Sequence, residues 1–368
     1  MDKSKRVLMI GDSLTQSGGI ATLQNLILKY ASSDIQFQQI ATHDEGSVIY
    51  RATVFIKAIG LLVWTLLRGK TDIVHIHISD GGSILRKLII VLITLMFGKP
   101  ILMHSHGSVF HINYSKLPKW GQQIIGGIFS KTDGWIALTS FWRDFYITNL
   151  GLEENRVFIL FNPTELPMEL PPRINSPQVK IVFLGRVGKR KGTFDLIEAF
   201  GKLPDHLKNS SKLFIAGNGE LEQARELVEK LNLTEQITLL GLIGAEQRDA
   251  LLATADVFVL PTYNEGLPLA LMEAMGWGLP VITTPVSGIP DIVKAGKNGL
   301  LVNPGNSQEL SEAMQLLIEN EDLRLLLGKS GRETVASLDV KSFCRRLNEI
   351  YDQVLENNNS LMSLAKQK

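Results

Sequence analysis

Cysteine is almost missing from this chain: Cys344 is the one residue of its kind among 368. An intramolecular disulfide is therefore excluded, and a reducing, cytoplasmic setting is the expectation. No Asp-x-Asp occurs anywhere, so the short acidic pair that would hold a divalent ion beside a phosphate is lacking. No Gly-x-Gly-x-x-Gly follows a strand, which disfavours an NAD-dependent dehydrogenase. The apolar segments read as falling short of the roughly 20 residues a membrane span needs. The polar residues 1–6 lead straight into a short apolar run at 7–10, which reads as a strand and not as a secretory signal.

What is present is the composition of a globular protein, 45% hydrophobic and 20% charged. The length suits two domains of roughly 150 to 180 residues each. A net charge of +1 conceals an uneven distribution. Up to Asn162 there are 16 Lys and Arg against 11 Asp and Glu, whereas the remainder has 22 against 26. A basic first half and an acidic second half fit either different partners or ordinary surface scatter.

Short apolar runs at 7–10, 35–40, 73–78, 101–103, 135–138 and 157–160 alternate with helical periodicity, as at 20–30. That alternation predicts a parallel sheet with helices on both faces. Five prolines between Pro163 and Pro177 (with Pro167, Pro171 and Pro172) form a stiff linker. Strands at 180–184, 212–216, 237–240, 257–260 and 281–283 then alternate with helices, so a second parallel-sheet domain follows. The expected boundaries are 1–162, a linker at 163–178, a second domain at 179–340, and at 341–368 a closing helix able to pack back on the first domain. Its polar end, from Asn357, is expected to fray.

Two helices of the first half, at 52–67 and 88–97, are unusually apolar. Burial between sheet and neighbouring helix accounts for them. The competing reading is an apolar, basic-edged surface resting on a bilayer near a lipid-linked substrate. Six of the seven histidines also lie in this half. His75 and His77 share one strand face, as do His104 and His106. With no carboxylate at ligand spacing, no metal site is expected there. His106, followed by Gly107, falls at the C-terminal end of a strand, where doubly wound sheets bind ligands.

Three glycine-rich or helix-opening turns carry anion-binding chemistry. Gly18-Gly19 opens the first helix, as a tight turn or a place where backbone meets phosphate. Residues 185–192, Gly-Arg-Val-Gly-Lys-Arg-Lys-Gly, put four cations within six positions at a strand's end. Arg186 can fork across two phosphate oxygens and Lys191 adds a point charge. Residues 263–275, Tyr-Asn-Glu-Gly-Leu-Pro-Leu-Ala-Leu-Met-Glu-Ala-Met, read as a loop and a helix N-terminus with Pro268 as its first residue. Glu265 and Glu273 flank that N-terminus. A ligand with both phosphates and hydroxyls, such as a nucleotide sugar, suits the combination.

Together these residues resemble the family 4 glycosyltransferases, retaining enzymes of the GT-B fold, over nearly the whole chain. The spacing Glu265 to Glu273 matches that family's paired glutamates, and residues 185–192 its diphosphate clamp. Gly217-Asn218-Gly219-Glu220 is similar to its glycine turn, while Phe161-Asn162-Pro163 departs from its usual Asn-Gly. The resemblance implies two Rossmann-like domains facing across a cleft and transfer from a UDP-sugar or GDP-mannose to a glycan or lipid-linked glycan. It implies Glu273 on the donor ribose, Arg186, Lys191 and the backbone of Gly266, Leu267, Pro268 and Leu269 on the diphosphate, and Glu265 near the reacting carbon. Asn218 sits in the donor site, His106 holds a sugar hydroxyl, and Gly19 lets the first loop reach a phosphate. No metal, cofactor or nucleic acid is expected. The rival readings are a glycosidase, whose acid pair must flank one bond at roughly 5 to 9 Å, a nucleotide-sugar epimerase, and a non-catalytic nucleotide-sugar binder.

Overall fold

The computed structural model describes residues 4–173 and 178–366, with side chains described through residue 358. Pro177 of the proline-rich stretch and the last two residues of the expected tail lie outside the described residues. The chain divides into two compact units, Met1–Pro163 with Val340–Lys368, and Thr164–Asp339.

The first unit is built on six parallel strands, β1 (Lys5–Gly11), β2 (Ile35–Ala41), β3 (Ile73–Ile78), β4 (Ile101–Ser105), β5 (Gly134–Ala137) and β6 (Val157–Ile159), in the order β2-β1-β3-β4-β5-β6. Every residue of β3 and β4 is buried, whereas β2 alternates toward solvent. A central parallel strand covered on both faces needs such a continuous apolar run, and an edge strand does not. On one face lie α1 (Gly19–Tyr30) and the closing helix Val340–Lys366. Leu23 and Ile27 of α1 meet Phe343, Cys344, Leu347 and Ile350 over Val7 and Met9 of the sheet. Right-handed crossovers put α2 (Val48–Leu67), α3 (Gly82–Met96) and α5 (Lys119–Phe129) on the other face, with α2 against α3 and α3 against α5. The short α4 (Phe110–Ser115) precedes α5.

The second unit repeats the plan with β7 (Val179–Leu184), β8 (Ser211–Ala216), β9 (Ile237–Gly241), β10 (Val257–Leu260), β11 (Val281–Thr283) and β12 (Leu300–Leu301). Their order is β12-β11-β10-β7-β8-β9, all parallel. The strand order reverses between β7 and β10, and that crevice is where doubly wound sheets take their ligands. The proline-rich stretch after Pro163 is pinned to this unit: Arg332 donates to the Pro167 carbonyl at 2.8 Å and Arg173 to the Trp277 carbonyl at 2.7 Å.

Several elements differ from expectation. α2 starts at Val48, not 52, because the Ser47 hydroxyl accepts from the Tyr50 N–H and caps it. It therefore reaches 20 residues, long and apolar enough to cross a bilayer by length and composition, and only 17% of its most apolar window is buried. Burial thus fails to explain its apolarity. α3 starts at Gly82 instead of 88 and buries one face, Ile84, Leu88, Ile90 and Val91. Pro268 is the N-cap of the helix Leu269–Gly276, not its first residue, since its ψ of 122° is extended. The closing helix runs on to Lys366 where fraying was expected from Asn357.

Candidate functional site

The two cationic and glycine-rich loops of the second unit stand on either side of its switch point, after β7 and after β10, and the backbone ties them together. Tyr263 N–H donates to the Arg190 carbonyl at 2.9 Å, and the Arg190 guanidinium returns a bond to the Asn264 carbonyl at 3.1 Å. Gly192 makes the closest approach. Its φ is +70° and a Cβ there would lie 2.0 Å from the Pro261 carbonyl oxygen, so only glycine fits. The turn after β8 joins the same assembly: Val187 N–H donates to the Asn218 carbonyl at 2.7 Å, and Glu220 N–H to the Val187 carbonyl at 3.0 Å. A Cβ on Gly219 would meet Val187 O at 2.2 Å.

Side chains converge on this frame. Lys191 Nζ pairs with Glu265 Oε1, and Glu265 is 5% exposed. Arg186 is exposed and has no carboxylate partner among the described residues. No side chain caps the helix Leu269–Gly276 and its first turn carries no acid, so its positive end faces the crevice uncompensated. Gly266, Leu267 and Pro268 lead into it as buried backbone. Glu273, one turn further, accepts from Arg248 at 2.7 Å. Burial holds the Glu273 carboxyl above the ordinary carboxylate range, against the pull of Arg248. The structure thus gathers Arg186, Lys191, Asn218, Glu265, Gly266, Leu267, Pro268, Leu269 and Glu273 around one sheet edge. Arg248 was absent from the sequence reading, and no spacing could have supplied it, since it lies on a separate helix, Ala245–Thr254.

Gly19 and His106 belong to the first unit and lie at the C-terminal ends of β1 and β4. Gly19 is the exposed first residue of α1, behind an extended Gly18 with open space around it. His106 is fixed through its neighbours. Asp80 accepts from Ser108 N at 2.8 Å and Val109 N at 3.1 Å, and a Cβ on Gly107 would strike that carboxylate at 2.3 Å. Asp80 was also missed, although the polar break Ser79-Asp80-Gly81-Gly82 after a buried strand marks the spot.

Behind His106 the other histidines form a buried column. His77 Nδ1 and His106 Nε2 lie 2.9 Å apart, sharing one proton, so Nδ1 is the His106 nitrogen left for a ligand. His75 bridges Tyr351 Oη at 2.8 Å and His104 Nδ1 at 3.3 Å. Burial pushes His75 and His106 down to about 3, and His77 and His104 well below the usual imidazole range, so all four are neutral at pH 7. His75, His77 and His104 offer nitrogens within 4.8 Å of one another. The His75 Nε2–His104 Nδ1 and His77 Nδ1–His106 Nε2 contacts already engage four of the column's ring nitrogens. Nearby, Lys87 is 1% exposed and donates to Thr42 Oγ1 at the same sheet edge, and burial pushes it down to about 7.

Comparison with known proteins adds identity to this geometry. Residues 169–334 match the family described as Glycosyl transferases group 1. An uncharacterised glycosyltransferase of Methanocaldococcus jannaschii is 26% identical over 278 residues, 71% of this chain and 70% of that protein. The sulfoquinovosyl transferase of Arabidopsis thaliana is 29% identical over 53% of this chain, which spans only 38% of the plant protein. The N,N'-diacetylbacillosaminyl-diphospho-undecaprenol alpha-1,3-N-acetylgalactosaminyltransferase of Campylobacter jejuni is 26% identical, over 58% of each chain. Among solved structures, the sucrose-phosphate synthase of Thermosynechococcus elongatus superposes with a TM-score of 0.78 at 19% identity, covering 96% of this chain and 99% of the other. HepE of Anabaena, solved in complex with UDP, gives 0.75 at 15% identity, covering 94% and 98%. These likenesses establish two α/β domains of the GT-B kind. All six strands of the second unit lie within the matched residues, so it is this unit that carries the likeness to the glycosyl transferases of group 1.

Proposed function

We propose that this chain is a retaining, family 4 hexosyltransferase that takes its sugar from a UDP-sugar or GDP-mannose. The acceptor is a hydroxyl of a glycan or lipid-linked glycan in surface polysaccharide synthesis. The observation that carries this reading is the switch-point crevice of the second unit. There a cation bound to a buried carboxylate, an exposed arginine and an uncapped helix N-terminus meet.

In this reading the diphosphate draws Lys191 from Glu265 and is held between Lys191, Arg186 and the helix dipole. Those fixed positive charges stabilise the negative charge that develops on the leaving nucleoside diphosphate. Glu265, released, faces the donor sugar near the reacting carbon. Glu273, oriented by Arg248, accepts from the ribose hydroxyls, and His106 holds a sugar hydroxyl through Nδ1. Retention of configuration follows from the resemblance to family 4 enzymes. No resident metal or cofactor belongs to the mechanism, because the clamp already supplies the electrostatic role a divalent ion would take. HepE's complexes with UDP and UDP-glucose support the donor class. The undecaprenol-linked substrate named for the Campylobacter relative supports a lipid-linked acceptor.

The test is transfer of label from UDP-hexoses and GDP-mannose to polyprenol-diphosphate-linked sugars, with a chelator present and the anomeric configuration read by NMR. Metal-free transfer with retention is expected. Inversion, or conversion of the donor with no acceptor added, would exclude this reading, the latter in favour of an epimerase.

A further inference from the structure

The helical layer on the α2 side of the first unit presents an apolar surface to solvent. On α2, Ile56 is 68% and Leu67 70% exposed, with Trp64 also outward. On α3, Met96 is 84% exposed, and Leu92 lies one turn before it on the same stripe. On α5, Trp120 is 67% exposed. The three helices are neighbours, so these side chains form one surface and are not scattered singles, and continuous apolar surface of this kind marks an interaction site.

Charge selects the occupant. None of α2, α3 and α5 contains Asp or Glu, while Arg51, Lys57, Arg68, Lys70 and Lys119 stand exposed on or beside them. The two outward tryptophans each have a cation beside them: Arg68 stacks over Trp64 at 3.6 Å, and Lys119 precedes Trp120 in the chain. Apolar side chains for the acyl boundary, tryptophan at the headgroup level and cations for anionic lipid are the composition of an interfacial surface. A protein partner of matching chemistry would need an equally broad apolar face rimmed with acids.

α2 has the length to span a bilayer, yet it is tied to its sheet. Ala58, Leu62, Thr65 and Leu66 are buried, and Gln38 of β2 donates to Thr65 Oγ1 at 3.2 Å. Leaving to cross a membrane would strip the α2 side of the sheet. We infer that the outer face of α2, α3 and α5 docks on the surface of a bilayer containing anionic lipid, with α2 lying in the interface. The proposal extends the acceptor reading, and its test needs no turnover.

The experiment is co-sedimentation of the full chain with vesicles of phosphatidylcholine, alone or mixed with phosphatidylglycerol, at low and high salt. The chain is expected on the mixed vesicles, and salt should release it. Ile56→Glu with Met96→Glu, and separately Lys57→Glu with Arg68→Glu, should each weaken association by about tenfold or more. All four side chains are exposed, so the variants should keep the wild-type melting temperature and nucleotide response. That control separates loss of the surface from loss of the fold. Wild-type protein that stays in solution, or variants that bind equally, would overturn the proposal. Binding that only detergent reverses would overturn it in favour of a spanning α2. A dimer that both variants dissociate, without vesicle binding, would overturn it in favour of a second copy.

Discussion

Lys191 Nζ and Glu265 Oε1, 74 residues apart in sequence, form an ion pair across the loops that flank the switch point of the second sheet. Both side chains are largely buried, at 16% and 6% exposure, so each charge depends on the other. Removing one partner of such a pair costs roughly 3 to 5 kcal/mol, because the remaining charge stays buried without compensation. Lys191→Met should therefore lower stability by about that amount in urea titration. Adding Glu265→Gln to it should recover most of the loss. A single variant as stable as wild type would mean that the pair is solvated and carries little.

Gly192 and Gly151 allow backbone strain to be separated from collision. Both have positive φ, +70° and +66°, but only Gly192 has a neighbour, Pro261 O, in the path of a Cβ. Gly151→Ala should cost about 1 kcal/mol, the left-handed penalty alone. Gly192→Ala should cost roughly 2 to 4 kcal/mol and separate the two loops, with loss of nucleotide binding. Equal costs at the two positions would show that the Pro261 loop yields freely.

The buried histidines set an acid limit on stability. His75 titrates at about 3 in the fold and near its ordinary 6.5 when unfolded. Between these values the unfolded chain binds the proton and the folded chain does not, so stability falls as pH drops from 6.5 toward 3 and is unaffected above 6.5. In His75→Gln, which can still bond Tyr351, the slope of unfolding free energy against pH should lessen by about 1.4 kcal/mol per pH unit within that window. An unchanged slope would place the sensitivity elsewhere.

Lys87 acts in the opposite pH range. Its folded value of about 7 lies below the ordinary lysine value of about 10.4. From 7 up to that value the unfolded chain alone holds the proton, so wild-type stability rises with pH. Lys87→Met should be more stable than wild type at neutral pH, by a few kcal/mol at most. The gap should close as pH approaches 10. Thr42 keeps a bond to the Gly11 carbonyl at 2.9 Å, so no hydroxyl is orphaned by the change. A gap that stays constant across pH would trace the effect to packing.

The parts of the fold legible in sequence are those where one local force decides. β3, β10 and β11 lie at 73–78, 257–260 and 281–283 as expected, because strands buried on both faces need unbroken apolar runs. The beginning of α2 was hidden, since Val48, Ile49 and Tyr50 are poor helix formers and the Ser47 cap alone overrides them. The two residues of β12 are too short for any period. In the second-unit crevice, the glycines and cations are visible as a cluster in one loop. What joins that loop to the others is not, because the contacts of Val187 with Asn218, Tyr263 with Arg190, and Arg248 with Glu273 are made between elements. Local pattern carries no record of such pairings.

The central claim is that the switch-point crevice of the second unit binds a nucleoside diphosphate without metal. Calorimetric titration of UDP, GDP and their sugars into the full chain, with a chelator present, measures this directly. Binding of a uridine or guanosine diphosphate compound is expected, weakened by about tenfold or more in Lys191→Ala and in Glu273→Ala. No heat from either nucleotide series, or binding that both substitutions leave intact, would contradict it.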